Sequence, residues 1–222
     1  MEAFERRVYS QQGEDGIIEE IFKRINTTDK FFVELGCFDC ISMSNTALLL
    51  EQEWSGVQFD RDSSIAYSLT LNPRANFHAV SITAENVNDI LRSHGVPREF
   101  DLLSLDIDGN DYWVWRALDY KPRVAVLEYN GHGEAADSKT IAYDPGFFYD
   151  CSDYFGATLL ALKKLGEKKG YTLIYAESRG VNCFFVRAEY AHFFEPVPSI
   201  EEMWRPLSCR PYRVDDRKMV DI

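Results

Sequence analysis

The sequence predicts a mostly parallel α/β sheet, and three observations predict it. Apolar runs short enough to be buried strands alternate with stretches of helical period. Four of those runs end at or near an acid: Glu34, Asp60, Asp106 and Glu128. The last two runs, over residues 171–176 and 181–187, are separated only by Glu177-Ser178-Arg179-Gly180, which reads as a hairpin and hence an antiparallel pair. In such sheets ligands sit outside the carboxyl ends of the strands. Four carboxylates gathered on one edge are costly unless a cation or a hydrogen-bonding ligand meets them.

The stretch FFVELGCFDCISMSNT, residues 31–46, is the organising element. Phe31, Phe32, Val33 and Leu35 give a buried strand, and Ala47 to Leu50 start a helical pattern after Asn45. A strand that empties through a tight turn into a helix makes a nucleotide cradle. Of a G-x-G-x-x-G only Gly36 is present, so a nicotinamide cofactor is disfavoured. Asp60 ends the next strand, 55–59, at about the 20-residue separation of an acid that reads ribose hydroxyls.

The remaining elements follow in order. Residues 13–25 place Ile17, Ile18, Ile21, Phe22 and Ile25 on one helix face, with Glu14 and Asp15 at its N-terminal end. Before it, Tyr9-Ser10-Gln11-Gln12 reads equally as a flap over a ligand or a surface cap. A helix is expected over 62–71, broken by Asn72-Pro73, then a strand over 75–81 and a helix through Val87, Ile90 and Leu91. FDLLSLD, 100–106, is a buried strand. It leads through Ile107-Asp108-Gly109-Asn110-Asp111 to an aromatic helix, and RVAVLEY, 123–129, is the next strand. The segment 130–152 is long for a loop and reads as a functional lid, since Phe147, Phe148 and Tyr149 argue against disorder. A helix over 157–169 stops at Gly170.

Composition bounds the function. The 222 residues carry 45% hydrophobic and 14% aromatic side chains, enough for one sizeable core. A net charge of −12 disfavours nucleic acid and anionic membranes as partners. There is no run of about 18 apolar residues, and five scattered cysteines make no disulfide framework, so the expected compartment is the cytoplasm. The expected organisation is one domain over 1–189, with a helical lead-in over 1–26 and an extension over 190–222.

The motifs YSQQGEDGII (9–18), VELGCFDCISMSNT (33–46), LDIDGNDYWVW (105–115), VLEYNGHG (126–133) and FGATLLALKKLGEKKGYTLI with GVNCFFVR (155–187) occur in one order. In that order they resemble the class I S-adenosylmethionine-dependent methyltransferases, and more closely the FkbM-like branch. The resemblance implies a Rossmann-like fold: a seven-stranded mostly parallel sheet, helices on both faces and an antiparallel C-terminal strand. It implies that Glu34, Gly36 and Asp39 hold the amino acid portion of S-adenosylmethionine, that Asp60 takes the ribose hydroxyls, and that Ser81 and Ile82 lie by the adenine with Gln11 closing above. It further implies that Asp106, Asp108, Glu128 and Asn130 hold Mg²⁺ or another hard divalent cation, since the set offers only oxygen donors, with Asp106 also catalytic. The family usually carries glycine where Cys40 stands and a small polar residue where Phe38 stands, so this turn is bulkier.

The expected reaction is O-methylation of a hydroxyl on a sugar, polysaccharide unit or secondary metabolite. His132, with an ordinary pKa of about 6.5, is the candidate base. The acceptor is therefore a small molecule or carbohydrate; oligomeric state stays open, a homo-oligomer included. Plainer readings stand beside these. Asp106 to Gly109 also makes a turn with a helix cap, Asp111 reads as a helix N-terminal charge, and His132 reads as a surface histidine. Two rival functions are kept: a thiol–disulfide protein using Cys37 and Cys40, a C-x-x-C at a strand-to-helix turn, and a catalytically silent binding module of methyltransferase shape.

Overall fold

The computed structural model describes residues 1–62, 64, 74–208 and 213–222. Along the chain lie α1 (Glu14–Ile25), β1 (Phe31–Leu35), α2 (Ala47–Glu51), β2 (Ser55–Asp60), β3 (Phe77–Ala79), α3 (Val87–Ser93), β4 (Glu99–Leu105), α4 (Asp111–Ala117) and β5 (Lys121–Glu128). After these come β6 (Lys139–Thr140), α5 (Leu159–Lys168), β7 (Tyr171–Ala176), β8 (Asn182–Arg187), α6 (Ile200–Met203) and β9 (Val220–Asp221). The helix expected over 62–71 lies, apart from Asp62 and Ser64, outside the described residues.

Seven strands make one sheet in the order β3-β2-β1-β4-β5-β8-β7. All its neighbours pair in parallel except at β8, which runs against both β5 and β7. The fold is thus the expected Rossmann-like mixed sheet. The returning strand of the hairpin, β8, slots between β5 and β7. The burial pattern gives the reason. Residues 182–186 of β8 are wholly buried, as an interior strand requires, whereas Thr172 of the edge strand β7 is not.

Side chains one apart on a strand point to opposite faces, and each face has its own core. Phe32, Leu102, Val124 and Val126 pack with Ile17, Ile18, Ile21 and Phe22 of α1 and Leu49 and Leu50 of α2. Leu35, Leu103, Leu105, Ala125 and Leu127 pack with Val87 and Leu91 of α3, Trp115 of α4, and Leu159, Leu162 and Leu165 of α5. Helices therefore cover both faces, as a parallel sheet demands. At the sheet's amino end Asp101, fully buried, pairs with Arg123 at 2.7 Å and accepts hydrogen bonds from the backbone N–H groups of Thr28 and Lys30. That ties the α1–β1 connection to β4 and β5.

Packing of α5 is close enough to predict from. A Cβ on Gly166 would stand 2.7 Å from the Phe185 ring and 3.0 Å from that of Trp115. Gly166→Ala gains about 1 kcal/mol of helix propensity but overpacks two fully buried rings at about 1–3 kcal/mol. A net loss of about 1 kcal/mol is expected, read as a lower urea midpoint at unchanged m-value.

The segment after β5 is not a free loop. β6 pairs antiparallel with β9 from the chain's last residues, and Asp150 pairs with both Arg213 and Arg217. The tail past residue 190 thus ends as a brace on the segment expected to be a lid. No helix among the described residues is long and apolar enough to cross a membrane.

Candidate active site

The sheet reverses its winding at β1, which pairs with β2 on one side and β4 on the other. Such a switch point opens a crevice at the carboxyl ends of the strands. Here that crevice is a cavity of about 680 Å³. Gly36 closes β1 with φ +86°, and a Cβ there would fall 1.6 Å from the Asp106 carbonyl oxygen. Only glycine lets the turns after β1 and β4 approach this closely.

Eight of the expected site residues line the cavity: Gln11, Gly36, Asp60, Ser81, Ile82, Asp106, Asp108 and Glu128. Asp60, at the end of β2, accepts hydrogen bonds from the N–H groups of Phe38 (3.0 Å) and Asp62 (2.9 Å), which fixes its carboxylate at the rim. Gln11 reaches the cavity because the segment before α1 is folded back. The carboxylate of Asp15 accepts from the backbone N–H groups of Val8, Tyr9 and Ser10, and Glu14 accepts from those of Gln12 and Gly13.

Asp106, Asp108 and Glu128 each present a carboxylate oxygen within 4.8 Å of the others. The turn that carries the two aspartates is held by Asp111, whose carboxylate accepts from the N–H groups of Ile107 (2.8 Å) and Gly109 (2.9 Å). Burial pushes the Asp111 carboxyl up to about 6, with Asp108's charge adding to the effect. Asp111 is therefore the fastener of the turn and not one of the converging acids. Asn110 belongs to the same turn and also faces the cavity. Its Nδ2 donates to the Asp144 carbonyl, while its buried Oδ1 has no partner among the described residues.

Four expected residues lie elsewhere. The Glu34 side chain sits beneath α2, 2% exposed, and does not line the cavity. Its carboxylate accepts from the Ser44 and Thr46 hydroxyls, the Asn45 N–H and the Gln58 amide. Burial raises its pKa, while these hydrogen bonds act to lower it. Glu34 thus fastens the start of α2 to β1 and β2. Asp39 is occupied by its own turn, accepting from the N–H groups of Ile41 (2.9 Å) and Ser42 (2.5 Å). Asn130 is 1% exposed and donates to the Asp153 and Phe155 carbonyls while accepting from His132 N–H, so its amide organises the following segment. His132 packs edge-on against Phe155, with ring centroids 6.0 Å apart, and is not part of the cavity wall. None of these four is part of the cavity wall.

Sequence reasoning missed much of the roof. Phe147 lies over Gly109, where a Cβ would come 2.3 Å from its ring. Arg61 sits 3.8 Å from the Phe148 ring centroid and reaches the Phe147 carbonyl at 3.4 Å. The two phenylalanines were legible only as aromatics in a long polar segment, and nothing but adjacency to Asp60 marked Arg61. Trp113, part-buried against the core, donates its indole N–H to the Ile141 carbonyl at 2.9 Å and so holds the near end of the same segment.

No family model matches the chain, and no curated protein does. Solved structures resemble its chain path. Magnesium protoporphyrin IX methyltransferase from Synechocystis PCC 6803, with bound S-adenosylmethionine, is 10% identical, over 78% of this chain and 77% of that one, at a TM-score of 0.47. An O-methyltransferase family protein from Burkholderia thailandensis is 10% identical, over 78% and 57%, at 0.47. A SAM-dependent methyltransferase from Aquifex aeolicus is 8% identical, over 77% and 89%, at 0.43. At this level the likeness is one of general architecture.

Proposed function

We propose that the chain is an S-adenosylmethionine-dependent methyltransferase that methylates a hydroxyl of a small-molecule or carbohydrate acceptor with the help of a divalent cation. One observation carries this reading: a single cavity at the switch point joins a rim acid after β2, Asp60, to an oxygen-donor cluster after β4 and β5. The two halves suit two ligands.

In the first half, Asp60 offers its remaining lone pairs to a diol, Gly36 leaves room for a ligand against backbone, and Ser81 and Ile82 add a polar and an apolar side chain to the wall. S-adenosylmethionine bound there would supply an electrophilic methyl on a sulfonium. Gln11 stands over the same half and helps keep water from it.

The second half fits a hard cation. Asp106, Asp108 and Glu128 supply only carboxylate oxygens, and the orphaned Asn110 Oδ1 beside them is a further neutral oxygen. A divalent cation there would lower the pKa of an acceptor hydroxyl and fix its direction. The chain's own part is to orient. Asp111 sets the positions of Asp106 and Asp108 through the turn, Phe147 covers that turn over Gly109, and Phe148 lies against Arg61 beside Asp60. Since methyl transfer is an in-line displacement, positioning supplies much of the rate.

Calorimetric titration with S-adenosylhomocysteine and, separately, with NAD tests the reading. Binding of the first, lost in Asp60→Ala, with no binding of the second, is expected. Absence of S-adenosylhomocysteine binding to the wild-type chain would remove the proposal. The domain organisation proposed with it is one catalytic unit over 1–189, with residues 190–222 bracing the acceptor side.

A further inference from the structure

Cys37 and Cys40 have no part in the proposed reaction, yet they hold a special position. Their Sγ atoms are 3.0 Å apart, about 1 Å more than a disulfide bond. Cys40 is fully buried, while Cys37 lines the cavity wall between Gly36 and Phe38. The turn they span is costly for its sequence. Phe38 (φ 46°), Cys40 (φ 60°) and Met43 (φ 62°) all adopt left-handed backbone, which disfavours non-glycine residues by about 1–2 kcal/mol each. Its other fastenings include the Cys40 N–H to the Cys37 carbonyl (2.8 Å), the Cys37 N–H to the Phe59 carbonyl (3.2 Å), the Met43 N–H to the Tyr9 carbonyl (2.9 Å), Asp39 to Ile41 and Ser42, and Asp60 to the Phe38 N–H. The last of these joins the turn directly to the rim acid.

We infer that Cys37 and Cys40 are a dithiol–disulfide modification site in the cavity wall, oxidised by small organic disulfides such as glutathione disulfide, and that closing the bond locks the turn in its cavity-forming shape. The chemistry balances in two exchanges. The Cys37 thiolate attacks the small disulfide, forming a mixed disulfide and expelling one thiolate. The Cys40 thiolate then attacks Cys37 Sγ, forming the intramolecular bond and expelling the second. The two protons lost by the cysteines end on the two small thiols, and the two electrons of the dithiol reduce the co-reactant. Cys37 reacts first because it alone of the pair borders the cavity. The Cys40 hydrogen bond and burial both raise the Cys37 thiol pKa, so the first exchange is slow and set by access through the cavity. The second is fast, because the partner sulfur already lies in van der Waals contact. Among the described residues no third cysteine joins the pair: Cys151 is exposed and Cys183 is buried against the Leu127 carbonyl.

The test uses the full chain without cofactor. After equilibration in glutathione buffers from fully reduced to mostly oxidised, acid quenching, alkylation and peptide mass analysis should show Cys37 joined to Cys40, with Cys151 carrying only a glutathione adduct. Recovery of both Cys37 and Cys40 as alkylated thiols, while Cys151 has reacted, would overturn the site. In Cys40→Ser, Cys37 should accumulate as the glutathione adduct; no adduct there overturns the order of attack. Hydrogen exchange of residues 37–46 should slow at least tenfold in the oxidised wild-type chain, and unchanged exchange overturns the lock. None of these readouts involves S-adenosylmethionine, so their failure is separable from failure of the methyl-transfer reading.

Discussion

Asp106→Ala is expected to lower methyl transfer about a thousandfold while leaving S-adenosylhomocysteine affinity within threefold of the wild type. A thousandfold is about 4 kcal/mol of transition-state stabilisation, the scale expected when a cation that activates a hydroxyl is lost. Removing one of three converging carboxylates also relieves their mutual repulsion, so the variant should fold at least as well as the parent. That separates a lost cation from a lost fold. Chelator should reproduce the defect in the wild-type chain, and added Mg²⁺ should reverse it. Full activity in chelator would leave the cluster of Asp106, Asp108 and Glu128 as a solvated acidic rim and would return the acceptor's activation to a protein base. Asp106→Asn, which keeps one oxygen donor, should fall between the two.

Gly36→Ala should cost more in stability than the other substitutions considered. The residue stands at φ +86°, and the new Cβ would meet the Asp106 carbonyl oxygen 1.6 Å away. Backbone blocks it, so no side-chain rotation relieves the clash. The left-handed strain of about 1 kcal/mol adds to an overpacking cost of about 1–3 kcal/mol or more, giving about 3 kcal/mol in all. Denaturant unfolding reads the loss directly. The same shift separates the turns after β1 and β4, so S-adenosylhomocysteine binding should weaken at least tenfold even where the variant is fully folded. Unchanged affinity in folded Gly36→Ala would mean that the close approach serves packing alone.

The elements that give the sheet were legible because each signal is local. Short apolar runs such as FDLLSLD and RVAVLEY, and the helical stripe of Ile17, Ile18, Ile21 and Phe22, are set by neighbours in sequence and became β4, β5 and α1 within a residue or two. The acids at strand ends were legible for the same reason, since a strand's carboxyl end is fixed once the strand is. Asp60, Asp106, Asp108 and Glu128 accordingly all reach the cavity.

What sequence by itself determined is therefore the alternation of strands and helices and the rim on which the acids gather. What only the tertiary structure decided is which polar side chains remain available there. Glu34 points to the opposite face of β1 and is consumed by Ser44, Asn45, Thr46 and Gln58, contacts that arise only once α2 folds back over the strand. Asn130 is consumed by carbonyls 23 and 25 residues away. Phe147 and Phe148 reach the cavity on a segment that Asp150 ties to Arg213 and Arg217, more than 60 residues on. A carboxylate or amide has few lone pairs and protons, and long-range partners settle whether they are spent on the fold or left for a ligand. No local pattern records that choice.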